Sequence, residues 1–141
     1  MASKKAMLQY LQKVPLFSSL TTKDLEKIAK AGDTLTLPAG QMIIDQGQTG
    51  REAFVIINGE ATVRRNGKKI TTVGTGAVLG ELSLLDHGPR TATVTCDTPC
   101  EVIVIDQRHF SAVLSDVPAL SQKIMANLAA RIREFDRQYY G

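Results

Sequence analysis

Tryptophan is absent from this 141-residue chain, aromatic residues make up only 5% of it, and cysteine and histidine occur twice each. Cys96 and Cys100 are separated by three residues. That is neither the redox C-x-x-C spacing nor, with no second pair, half of a zinc site; buried free thiols in a reducing compartment are expected. His87 and His109 have no second ligand at a useful spacing, so no metal site is predicted, and surface or capping roles are expected for both. No apolar run approaches the ~20 residues that cross a bilayer, which argues against a membrane-spanning role. The opening "MASKKAMLQYLQK" lacks the apolar stretch and cleavage site of a secretion signal, and a cytoplasmic location is the expectation.

Strong charge of one sign is missing too. Seventeen basic residues against fourteen acidic ones leave a net +3, spread along the chain. The densest cluster, "VRRNGKK" at 63–69, straddles a turn and reads as solvated hairpin-tip charge, so no nucleic-acid partner is predicted. Arg131, Arg133 and Arg137 read as helix-surface charges near a C-terminus. Linkers, low-complexity tracts and repeats are lacking, which predicts a single domain over 1–141.

What is present is helix, then strands, then helix. Leu8, Leu11, Leu16 and Phe17 form an apolar set interrupted at Pro15. "LTTKDLEKIAKAG" predicts a helix over Lys23–Ala31, capped by Thr22 and ended by Gly32. From Asp33 the period becomes two, with Val- and Ile-rich stretches punctuated by glycines. Asn66-Gly67 between "ATVRR" and "KKITTV" is a strong type I′ hairpin signal. Several short, closely spaced strands predict an antiparallel barrel or sandwich. A short helix is expected over Gln107–Leu114, broken at Ser115-Asp116, with Pro118 opening a long helix to about Gln138. Along it Val117, Leu120, Ile124, Leu128, Ile132, Phe135 and Tyr139 trace one stripe, suited to the chain's own sheet or to a second copy. The fold class is α+β: an eight-stranded roll at 33–106, N-terminal helices at 1–32 and two C-terminal helices at 107–141.

One passage carries the chemistry. "GELSLLDHGPRTATV" places Gly80 after a strand, starts a helical turn at Glu81, and brings Arg90 after the turn "DHGP". The first amides of a helix attract an anion, and glycine lets a ligand approach them. Arginine binds phosphate oxygens in a bidentate fork. A carboxylate beside that anion makes sense if it accepts hydrogen bonds from hydroxyls travelling with the phosphate, as on a ribose. Alternatively, Glu81 could serve only the helix dipole, or pair with Arg90 in a structural ion pair. The complete ordered set favours a nucleotide site.

This passage resembles the phosphate-binding cassette of cyclic nucleotide-binding domains, here 79–92. "VPLFSSLTTKDLEKIA" resembles the family's N-terminal helical motif, "LPAGQMIIDQGQTGREAFVIINGEATV" its opening β-roll, and "LAARI" its long C-terminal helix. The resemblance implies that Gly80 and Glu81 bind the ribose, and that Leu82, Arg90, Thr91 and Ala92 surround the cyclic phosphate. It also implies that Thr91, Phe135 or Arg131 meets the base. Leu79 stands where many members carry phenylalanine. The ligand implied is cAMP, with cGMP left open by Thr91, and no other cofactor is expected. A regulatory module is implied that turns ligand binding into movement of the C-terminal helices, read by a separate protein effector. Because about fifty more residues would be needed for a helix-turn-helix, direct control of transcription is not expected. A β-roll interaction domain that dimerises through the last helix, its pocket unused, is the alternative. Catalysis is not expected: a metal-dependent cupin shares the small barrel but needs more histidines and carboxylates than two scattered histidines supply.

Overall fold

In the computed structural model, residues 4–140 are described, without the side chains of Lys4, Leu82, Tyr139 and Tyr140. Leu82 as a phosphate contact and Tyr139 as the end of the stripe therefore lie outside the described side chains. Helix α1 (Lys4–Gln12) is followed by a 3₁₀ turn (Pro15–Phe17) and α2 (Thr22–Ala31). Eight strands follow: β1 (Asp33–Leu37), β2 (Met42–Ile44), β3 (Glu52–Asn58), β4 (Ala61–Arg65), β5 (Lys68–Val73), β6 (Val78–Leu79), β7 (Thr93–Cys96) and β8 (Cys100–Asp106). Helix α3 (Glu81–Asp86) lies between β6 and β7, while α4 (Gln107–Asp116) and α5 (Pro118–Tyr140) close the chain.

The strands pair as β1 with β8, β2 with β7, β3 with β6 and β4 with β5, all antiparallel. This nesting is that of one long hairpin rolled up on itself. Its tip is Asn66-Gly67, both at positive φ (54° and 79°) as the predicted I′ turn requires. Further pairing of β3 with β8 and of β4 with β7 completes two four-stranded sheets, ordered β1-β8-β3-β6 and β2-β7-β4-β5. The antiparallel α+β roll expected from the sequence is what forms.

Strands β3 and β8 are buried on both faces, which is why "AFVII" and "VIVI" read as continuous apolar runs. Phe54, Ile56 and Val102 face the interior of the roll with Leu37, Ile44, Val94 and Cys96. Their neighbours Ala53, Val55, Ile103 and Ile105 face outward onto Leu11, Phe17, Leu25, Ile28, Phe110 and Leu120 of the helical layer. Each large side chain buried there contributes roughly 1.5–3 kcal/mol.

Two helix boundaries differ from expectation, and a third is reached in a different conformation. Thr21, not Thr22, caps α2: its hydroxyl accepts from the Asp24 amide while the Asp24 carboxylate accepts from the Thr21 amide. Asp24 sets the register by standing three residues after the cap. Gly32 does end α2, but in extended backbone (φ −114°, ψ 158°) rather than a left-handed cap. A Cβ there would lie 2.4 Å from Ile103 Cγ2, so close packing on β8 is what requires glycine. Helix α4 also runs through Ser115-Asp116 instead of breaking there. Asp106 caps its start, and the Lys27 ammonium donates to the Asp116 carbonyl at its end.

Candidate nucleotide-binding site

The rolled-up hairpin brings two distant segments to one place. Beyond the β2–β7 ladder, the Gly47 amide donates to the Arg90 carbonyl and the Arg90 amide to the Gln48 carbonyl, both at 2.9 Å. Pairing of β3 with β6 sets the start of β3 beside the turn into α3. The Arg90 side chain bridges the two. Nη1 donates to the Gly80 carbonyl at 2.8 Å and Nη2 to the Glu52 carbonyl at 2.6 Å.

Arg90 is only 7% exposed. Burial lowers its pKa from the usual arginine value, opposed by the carboxylates of Glu52 and then Glu81, which favour the charged form. Arginine stays protonated in proteins, and this buried cation is hydrogen-bonded by two neutral carbonyls with no carboxylate in direct contact among the described residues, which leaves it able to take an anion as a further partner. No ion pair of Arg90 with Glu81 forms; Glu81 faces Arg131 of α5 at 3.8 Å. The structural ion pair considered as an alternative is thus not present.

Two glycines make room for the guanidinium. Gly80 caps α3 in the left-handed region (φ +80°), and a Cβ there would lie 2.3 Å from Arg90 Nη1. The sequence suggests that Gly80 clears the way for a ligand; in the structure, Arg90 itself takes that space. Gly50 does the same from the other side: a Cβ added to it would lie 2.3 Å from Ser83 Cβ and 2.9 Å from Arg90 Cζ and Nε.

A cavity of about 230 Å³ opens over this arrangement. Ile44, Val63 and Val94 provide apolar lining; Gly80, Glu81, Ser83, Arg90, Thr91 and Ala92 provide the cassette side, and Arg131 reaches in from α5. Glu81 is directed inward, its side chain 15% exposed. A second groove of about 210 Å³, between the 3₁₀ turn and α5, shares Val78, Glu81 and Arg131 with it.

Of the residues singled out from sequence, Gly80, Glu81, Arg90, Thr91, Ala92 and Arg131 come together at this cavity, whereas Phe135 is not among its lining residues. Phe135 sits a turn beyond Arg131 and is 53% exposed. The apolar stripe on α5 divides accordingly: Val117, Leu120 and Ile124 are buried on the chain's own core, Leu128 is half-buried, and Ile132 is 62% exposed. Packing on the roll therefore accounts for the first half of the stripe alone.

Three participants escape a reading of the sequence. Gly50 and the Glu52 carbonyl lie about forty residues from Arg90, and no local signal marks a backbone carbonyl as a ligand. Arg65 reads as one of the solvated hairpin charges, yet its Nε donates to the Thr91 carbonyl at 2.9 Å and it lines the cavity. Its alternation with Val63 on β4 is the available signal. His87 and His109 are exposed, as expected. His87 ends α3 in left-handed backbone beside Gln107, 2.5 Å away, and His109 lies 2.8 Å from Asp106.

Comparison with known proteins agrees with this geometry. The family model described as "Cyclic nucleotide-binding domain" matches residues 34–116, more than half of the chain. A cAMP-dependent protein kinase regulatory subunit from Schizosaccharomyces pombe is 36% identical over 107 residues, covering 75% of this chain and 26% of that protein. The chain thus spans about a quarter of that relative's length. Among solved structures, cAMP-bound PfPKA-R superposes with a TM-score of 0.83 at 25% identity, covering 96% of this chain and 46% of the other. The catabolite activator protein of Thermus thermophilus superposes with a TM-score of 0.81 at 26% identity, covering 88% and 61%. With its rolled sheets, its cassette and its arginine between two carbonyls, the chain belongs to the cyclic nucleotide-binding domain family.

Proposed function

We propose that this chain is a regulatory sensor of cyclic nucleotides, with cAMP as its ligand. The observation that carries the reading is Arg90: a buried guanidinium held by two carbonyls beside an open cavity, with no carboxylate paired to it among the described residues. The cyclic phosphate supplies that anion. Arg90, with the amides opening α3 and those of Thr91 and Ala92, surrounds it; Glu81 accepts a hydrogen bond from the ribose hydroxyl next to Gly80. Each charge-assisted bond contributes about 1.5–3 kcal/mol. Arg131 and Thr91 are the base contacts the cavity favours, with Phe135 joining only if α5 shifts. The cAMP-bound neighbour and the kinase regulatory relative support cAMP over cGMP as the physiological ligand.

Coupling follows from one contact. Arg131 bridges α5 to Glu81, the group that meets the ribose, so ligand and lid helix share a residue. Ligand binding then shifts α5 between positions, by no more than its differential affinity for them. A separate effector chain reads that shift in the cytoplasm, where the free thiols of Cys96 and Cys100 suit a reducing milieu. The exposed Met125, Ile132 and Phe135 favour pairing of α5 with a second copy. No catalytic step is assigned.

Calorimetry with cAMP and cGMP on the wild type and on Arg90→Ala tests the core of this. Saturable cAMP binding, lost or weakened at least about tenfold in the variant, is expected. Absence of heat and of any thermal shift with either nucleotide would overturn it and leave the interaction-domain alternative.

A further inference from the structure

The cavity is lined by three arginines and one carboxylate: Arg65, Arg90, Arg131 and Glu81. On the reading above, which this inference rests on, the single phosphate charge is matched by Arg90. Glu81 is opposite Arg131. Arg65 is left with no ion-pair partner among the described residues of the cavity, and although the residue is exposed its side chain is anchored. Its Nε is held by the Thr91 carbonyl at 2.9 Å. The hairpin from which it springs is tied down as well: Gln46 and Asn66 exchange two hydrogen bonds of 2.9 Å, and the Gln46 amide donates to the Thr93 hydroxyl.

With Nε engaged, the two terminal amino groups are the donors Arg65 can offer the cavity. They are coplanar and spaced for two acceptors side by side. The sugar and phosphate positions are taken by Glu81 and Arg90, which leaves the purine. Guanine presents O6 and N7 as adjacent acceptors and suits an arginine fork; adenine presents N7 next to an amino donor, which repels it. Val63, two residues earlier on the same side of β4, supplies an apolar surface beside the fork.

We propose that Arg65 is a specificity-determining residue that reads the O6/N7 edge of guanine, so that the cavity accepts cGMP as well as cAMP. The test measures affinities of the full chain for cAMP, cGMP and 7-deaza-cGMP, in the wild type, Arg65→Lys and Arg65→Ala. Lysine keeps the charge and loses the fork. Both variants should weaken cGMP binding by about tenfold or more while changing cAMP by less than about twofold. Removing N7 should weaken binding to the wild type and have little further effect in either variant. Equal loss of cAMP and cGMP, or no loss of either, would overturn the assignment and leave the cAMP site standing. Wild type that binds cAMP and ignores cGMP would do the same. Wild type that binds neither nucleotide would remove the site reading itself.

Discussion

Gly50→Ala isolates the packing that holds Arg90. Gly50 is not in the left-handed region, so alanine meets no backbone objection there; only space forbids it. The new methyl would lie 2.3 Å from Ser83 Cβ and 2.9 Å from Arg90 Cζ and Nε. Ordinary carbon contacts are about 3.5–4.0 Å, so something must retreat by about 1 Å. Ser83 is buried, and Arg90 is fixed by bonds of 2.8 and 2.6 Å, so neither has a free direction. Overpacking of this kind costs about 1–3 kcal/mol, which in a chain this size lowers Tm by roughly 3–10 °C. If the guanidinium retreats, the charge-assisted bonds proposed between it and the cyclic phosphate weaken by about 1.5–3 kcal/mol, an expected affinity loss of about 10- to 150-fold. Calorimetry with cAMP and differential scanning fluorimetry read the two effects separately. Gly40→Ala is the matched control: φ is +88° with nothing within 4 Å, so it should lose about 1–2 kcal/mol of stability and no affinity. Wild-type affinity in Gly50→Ala, whatever its Tm, would refute the claim that this glycine positions Arg90.

Thr21→Ala should cost about 1 kcal/mol through loss of the α2 cap, seen as a Tm lower by about 3–4 °C with cAMP affinity unchanged. The Asp106 carboxyl is held below the usual carboxylate range, first by the His109 amide and then by its ring. A depressed folded pKa stabilises above the ordinary carboxylate range and ceases to do so as pH falls through the folded value. Thermal scans from pH 5 to pH 2 should therefore show a smaller acid loss in Asp106→Asn, which keeps a cap but cannot titrate; identical profiles would contradict this. Burial, with the Cys100 thiol beside it, pushes Cys96 up to about 12. At pH 8 Ellman's reagent should thus leave Cys96 unmodified in the folded chain and label it rapidly in guanidinium.

Much of the architecture is legible because local and global signals agree. Asn66-Gly67 takes the two positive φ values its turn type needs, and the roll folds around that tip. The boundaries that differ are decided by competition between near-equal neighbours. Thr21 and Thr22 are equally good caps alone, and Asp24 chooses between them by reaching back to the Thr21 amide. At Gly32 the deciding contact is Ile103, seventy-one residues away, which no window along the chain reveals.

The same distinction governs the site. Glu81 and Arg90 can be found from one contiguous passage, because a helix start and a following turn place them by local geometry. What makes Arg90 usable is not local: Gly50 and the Glu52 carbonyl reach it only through the nested pairing of β2 with β7 and β3 with β6. Arg65 shows the cost of reading charge by density alone. Within "VRRNGKK" all four cations look alike, yet alternation along β4 turns Arg64 outward and Arg65, with Val63, onto the cavity wall. A stretch of α5 behaves likewise, since one unbroken stripe is buried up to Ile124 and exposed at Ile132. Periodicity identifies a face, but only the partner across it decides whether that face is core, lid or contact. On α5 the changeover falls where Arg131 meets Glu81, so the helix leaves the body of the protein at the residue that touches the site.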